Sequence, residues 1–269
     1  MSLVFKRQSA VFLSLALFFF LSCASHQPKP DEGEKLPHLS EKDEIKFGNY
    51  VDAVVATQYP TLKDESLTQK VATIGNKLVE VSDRPHLPFT FKVLNTAEVN
   101  AFAGPGGFVY VTIGLLDTLE KKDELAAVLA HEIGHVCERH SVRSYYNAQK
   151  IKTVLTLVDI AAMVAGVPPM ANIGGDIIGD FSRIVANLTA AIIFQGYSRS
   201  WETKADEVGL LYSSKAGYDP HYFVSVLERF LKLEEEEGKK IKLTILSSHP
   251  KTEDRIKHIK SLIEQTEGR

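Results

Sequence analysis

The chain has 269 residues with a formal net charge of −3, 24% charged and 44% hydrophobic residues, and only two cysteines. That length supports one sizeable core, the acidic balance argues against nucleic acid as a partner, and two cysteines are too few for a disulfide scaffold.

At the N-terminus, Lys6 and Arg7 precede an apolar run from Ala10 to Leu21, and polarity returns at Ser22. This is the order of a secretory signal, and the run is shorter than the roughly 20 residues of a spanning helix. Its end, "FLSC", is similar to a bacterial lipobox, with Phe20 where leucine is expected. The expectation is a signal peptide over 1–22, lipid on Cys23 as the mature first residue, and a polar, proline-bearing tether over 23–38. Ala24 and Ser25 follow without an aspartate, which points to a periplasm-facing lipoprotein of the outer membrane. With Cys23 lipidated, Cys137 has no partner, and the fold over 39–269 must hold without a disulfide.

Ser40 and Asp43 stand at capping-box spacing before one predicted helix, and Leu67, Val71, Ile74 and Leu78 recur at helical intervals in a second. "PFTFKVLN" alternates Phe89, Phe91 and Val93 with polar residues, and "GGFVYVTIG" follows "AFAGP", so two strands joined by a glycine-rich connection are expected. A long helix then carries "HEIGH" at 131–135. Chance alone would place this pattern in roughly one chain of such length in a hundred, so the motif needs a supporting site. At about 100° per residue, Val128, His131, Glu132, His135 and Arg139 share a chemical face, and Leu125, Leu129, Ile133, Val136 and His140 share a core face. The two histidines can aim nitrogens at one ion, with Glu132 beside a water. His140 falls opposite His131 and reads as structural.

A third ligand is not adjacent, because Glu138 and Ser141 occupy the places where an extended motif needs glycine and histidine. The next candidates are Glu202 and Asp206 in "YSRSWETKADEVGLL". Four apart on a helix, they point the same way, so one can bind the ion while the other holds a ligand histidine; pairing with Lys204 or Arg199 is the ordinary alternative. Between them and the motif, 151–195 is apolar but broken by Asp159, Pro168, Pro169 and glycines. It reads as buried helices, with a lid or a lipid-facing surface as the alternative. The charge run "LEEEEGKK" at 233–240 reads as a solvated helix end. Near the C-terminus, Pro250 pushes His249 out of helical geometry, at the entrance of a helix carrying Ile256, Ile259, Leu262 and Ile263.

"NAFAGPGGFVYVTIGLLD", "ELAAVLAHEIGHVCERHS", "YSRSWETKADEVGL" and "SHPKTEDRI" resemble the successive signatures of metallopeptidase family forty-eight, the family of the HtpX membrane proteases and CaaX prenyl proteases. The likeness covers roughly residues 40–265 and is nearest to a compact periplasmic branch without spanning helices. It implies an α+β, mainly helical, zincin-like peptidase domain with a small sheet beside the HExxH helix. It implies one zinc ion per chain on His131, His135 and Glu202, Glu132 as catalytic base, and Asp206 behind a ligand. It places His249 and Arg255 beside the cleft, with His249 either an oxyanion donor or an inhibitory fourth ligand; a surface capping histidine is the alternative. It also makes Gly107, Phe108, Val109 and Tyr110 the strand along which an extended polypeptide substrate pairs, although the glycines equally suit a plain tight turn. The expected function is a lipid-anchored zinc metalloendopeptidase acting on misfolded or unassembled envelope proteins, with a chaperone-like binding protein holding a structural zinc as the alternative.

Overall fold

The computed structural model describes residues 39–147, 196–237, 243–249 and 252–267. The expected signal, Cys23 and the tether, the apolar region 151–195 and Pro250 lie outside the described residues. Helix α1 spans Glu41–Gln58 and α2 spans Glu65–Val79. Each starts where a side chain satisfies a free N–H: Ser40 Oγ accepts from Asp43 N, and Asp64 accepts from Leu67 N.

Three strands follow: β1 (Thr90–Leu94), β2 (Ala101–Ala103) and β3 (Phe108–Thr112). Their spatial order is β1-β3-β2, with β1 parallel and β2 antiparallel to β3. "AFA", read above as connection, is thus a strand; three residues are too few to display a period of two. The order also overturns the substrate-strand expectation for Gly107, Phe108, Val109 and Tyr110. β3 is the central strand, hydrogen-bonded along both edges and buried throughout, so an added chain has no free edge to pair with there. Gly106 and Gly107 have φ of 73° and 95°, and a Cβ on Gly106 would stand 2.9 Å from Ile45 Cα. They serve a tight turn against α1.

The sheet is covered on both faces. Phe108 and Tyr110 pack with Val51, Val55 and Tyr59 of the α1 side, while Val109 and Val111 join the main core with Val71, Leu78, Leu129 and Ile133. A short α3 (Ile113–Thr118) leads into α4 (Lys122–Cys137), the helix with the motif. The two faces of α4 are as expected, with Leu129, Ile133 and Val136 in the main core and His131 and His135 in one donor cluster, but neither is solvated, because every residue from Ala126 to Val136 is buried. The chemical face is covered by α5 (Arg199–Lys215). Backbones meet at that crossing: a Cβ on Gly134 would lie 2.8 Å from Ala205 O, and one on Gly209 would lie 3.0 Å from His131 N. Two glycines therefore set the distance between the helices that carry the histidines and the acidic pair. Helices α6 (Tyr222–Glu237), α7 (Thr244–Ser248) and α8 (Thr252–Glu267) complete the described chain. Among the described residues, no helix is long and apolar enough to cross a membrane.

Candidate metal centre

His131, His135, Glu202 and His249 offer donor atoms that all lie within 4.8 Å of one another, each from a buried residue. The first two come from successive turns of α4, and Glu202 from the first turn of α5, where Ser198 accepts from Trp201 N and caps the helix. His249 caps the C-terminal end of α7 with φ −129° and ψ 74°. It is fixed there because Ile245 N donates to Val99 O and Ser248 Oγ donates to Asn100 Oδ1, docking α7 on the approach to β2. The non-helical setting expected for His249 is present, at a helix exit.

Donor spacing tests whether an ion fits. His131 Nε2 is 3.0 Å from His135 Nε2 and 3.5 Å from Glu202 Oε2, and His135 Nε2 is 3.3 Å from Glu202 Oε1. His249 Nδ1 lies 3.1 Å from His131 Nε2 and 3.1 Å from Glu202 Oε2. Four donors arranged tetrahedrally at zinc's bond length of roughly 2.0–2.1 Å stand about 3.3–3.4 Å apart. The observed spacings bracket that value, and three imidazoles with one carboxylate suit zinc.

Behind the donors, Asp206 Oδ1 is 2.8 Å from His131 Nδ1, so Glu202 faces the donor set and Asp206 orients a ligand. Arg255 clamps Asp206 through Nε and Nη2 at 2.8 and 2.7 Å and places Nη1 3.1 Å from Glu202 Oε2. The alternative partner Lys204 instead lies 3.9 Å from Glu138 and Glu207. Burial and Arg255 push the His131 pKa down, but Asp206 and Glu202 outweigh them and raise it to about 9. Burial lowers His135 to about 4. Against the opposing effect of burial, His249 and Arg255 hold Glu202 well below the usual carboxylate range. The cluster keeps its anions charged.

Glu132 stands beside the donors without joining them. Its Oε1 is 3.4 Å from His249 Nε2, and among the described residues its buried Oε2 has no hydrogen-bond partner, nor has His249 Nε2. The pocket that opens onto this pair is apolar on its walls, with Val128 of α4, Phe223, Leu227 and Phe230 of α6 and Ile245 of α7.

Two residues missed by sequence reasoning pack on the centre. Tyr197 stacks on His135 with ring centroids 4.3 Å apart and planes at 24°. His140, expected on the core face, has its Nδ1 2.9 Å from His135 Nδ1. The helix ends at Cys137 and Arg139 takes φ 56°, so extrapolating 100° per residue to position 140 points the wrong way. Nothing local announces a left-handed arginine.

Residues 65–263 match the profile of Peptidase family M48. The chain is 31% identical over 193 residues to a beta-barrel assembly-enhancing protease of Yersinia pestis, covering 71% of this chain and 38% of that protein. It is 29% identical over 223 residues to the protein of that name in Escherichia coli, covering 81% and 43%. To the mitochondrial metalloendopeptidase OMA1 of Schizosaccharomyces pombe it is 31% identical over 221 residues, covering 82% and 58%. The chain thus spans about two fifths to three fifths of the length of these relatives. With the motif, the third donor and the clamp assembled in one buried cluster, this chain belongs to peptidase family M48, a family of metallopeptidases.

Proposed function

We propose that the chain is a zinc metalloendopeptidase of the bacterial cell envelope, held at the outer membrane by lipid on Cys23 and cutting misfolded or unassembled envelope polypeptides. The observation that carries the enzymatic reading is the state of Glu132. A buried carboxylate oxygen without a partner costs on the order of 1–3 kcal/mol or more; a protein that held zinc only for structure would have no use for it. Relatives named for enhancing β-barrel assembly support an envelope substrate. The tether over 23–38 and the peptidase domain over 39–269 rest on the sequence.

What the ion supplies when bound is Lewis acidity, acidifying water and polarising a carbonyl. The chain does the rest. Glu132 Oε2 accepts the proton of the attacking water and returns it to the leaving amine. Asp206 and Arg255 keep His131 oriented. His249 Nδ1 points into the donor set, which supports the fourth-ligand role, closing the site until substrate displaces it. With β3 internal, the strand for substrate pairing is β2, which has no strand on its other side among the described residues and lies beside α7 and His249. Edge pairing grips the middle of a chain, which favours an endopeptidase.

The test is zinc analysis with casein cleavage by the purified full chain, before and after chelation and zinc return. Stoichiometric zinc without cleavage of casein or of an unfolded envelope protein would leave only the binding-protein reading. His249→Ala separates its two roles: zinc retained with faster cleavage supports the inhibitory ligand, whereas zinc retained with a large loss supports an oxyanion donor. Loss of fatty-acid labelling in Cys23→Ser is expected, and labelling at the wild-type level would remove the anchor.

A further inference from the structure

We propose that His140 is a positioning residue for the metal centre: its imidazole accepts the Nδ1–H of His135, as the Asp206 carboxylate does for His131. This rests on the zinc-site reading above. The two ligand histidines both turn Nε2 toward the donor set, so both must carry their proton on Nδ1. For His131 that proton meets Asp206 Oδ1 at 2.8 Å. For His135 the atom in reach is His140 Nδ1, at 2.9 Å. The acceptor is therefore a neutral ring protonated on its own Nε2.

His140 is held for this task from three directions. Its ring stacks on Trp201, one residue before Glu202, with planes 2° apart and centroids at 5.0 Å. The residue before it, Arg139, takes φ 56°, a strained setting for a non-glycine residue. That turn is anchored by Arg139 Nε 2.9 Å from Glu44 Oε2 and by Nη2 donating to Leu39 O at 2.9 Å. The backbone strain has a purpose if its result is the contact with His135. One ligand is thus backed by an anion that Arg255 neutralises, the other by an uncharged acceptor, so the outer ring adds no net negative charge beyond Glu202. That leaves the ion a stronger Lewis acid than two carboxylates behind the histidines would.

The experiment measures zinc affinity of the full chain by competition with a chelator, alongside melting of the zinc-free form. His140→Phe keeps a ring against Trp201 and removes the acceptor; a 10–100-fold loss of zinc affinity is expected. His140→Asn restores an acceptor near the Nδ1 position and should recover most of it, although it loses more of the stacking. Affinity in His140→Phe within twofold of wild type overturns the proposal, as does His140→Asn binding zinc no better than His140→Phe. A third readout needs no substitution to fold: imidazole ¹⁵N spectra of the zinc-loaded wild type should show His135 protonated on Nδ1 and His140 on Nε2. A His140 protonated on Nδ1 overturns it too. Weak zinc binding with the expected tautomers in wild type would count against the zinc reading and not against this contact.

Discussion

The molecule buries two clusters of charged side chains, and they are built to opposite ends. Around Glu44, which is fully buried, every charge finds its complement: Arg84 donates to both carboxylate oxygens at 2.9 and 3.0 Å, Arg139 adds an ion pair, and Gly106 N reaches Oε1. Around Glu202, donors of one kind converge, and Glu132 and His249 keep atoms without a partner among the described residues. A closed ionic cluster is a strut, here tying α1, the turn before β3 and the end of α4 together. An open one whose donor atoms converge on one point is a site. The arginines of the Glu44 cluster reach toward solvent, whereas every member of the Glu202 cluster is buried and its donor atoms face one another.

The sharpest test of the open cluster is Glu132→Gln. Cleavage should fall by about 10²–10⁴-fold, the usual contribution of a general base, with zinc content unchanged because the residue is not a donor. Cleavage of casein at the wild-type rate would break the distinction between Glu132 and its neighbours. For the closed cluster, Glu44→Gln removes the buried carboxylate that pairs the partly exposed Arg84 and Arg139 and should cost about 1.5–3 kcal/mol in chemical denaturation. The folded fraction should still hold zinc. A cost under about 1 kcal/mol would mean that the strut is ornamental.

The clusters also differ in how pH reaches them. In the zinc-free protein His131 is raised from 6.5 to about 9, so its contribution is complete below pH 6.5 and disappears as pH climbs through about 9. The loss is about 3 kcal/mol. His135, lowered to about 4, acts in the opposite sense: its neutral form is favoured above pH 6.5 and stability falls as pH drops toward 4. Stability of the zinc-free chain should therefore peak near pH 6.5 and decline on both sides. With zinc bound, His131 holds the ion in place of the proton, and the alkaline decline should vanish. Denaturation midpoints at pH 6.5 and 9, with and without zinc, check this; a zinc-free protein equally stable at both would refute it.

What could be read from sequence was whatever depends on near neighbours along one helix. His131 with His135, and Glu202 with Asp206, are pairs four apart, and a helix fixes their direction whatever surrounds it. The capped start of α1 was legible for the same reason. Contacts set by distant segments were not. The pairing of Glu44 is invisible in its local sequence because its two arginines are 40 and 95 residues away along the chain. The central place of β3 depends on strand order, which alternation does not encode. His140 was misdirected by a single left-handed residue, and the close approach at Gly134 and Gly209 depends on two helices about 70 residues apart.

Those glycines give the smallest expected effect and the finest cut between the two clusters. A Cβ at position 209 would stand 3.0 Å from the backbone of Ala130 and His131, and backbone cannot yield as a flexible side chain does. Helix α5 must move outward by a few tenths of an ångström, carrying Glu202 two turns away on the same helix. Overpacking of this kind costs about 1–3 kcal/mol, but alanine regains about 1 kcal/mol of helix propensity. Stability should therefore change little, while zinc affinity falls because Glu202 retreats from the histidines. Gly48→Ala is the counterpart on α1, where the new Cβ would overlap Pro105 O. It should destabilise the fold more than Gly209→Ala and leave the affinity for zinc unchanged. Chelator competition and denaturation on both variants would show the crossing, and a Gly209→Ala chain binding zinc as tightly as wild type would show that the spacing of α4 and α5 does not set the site.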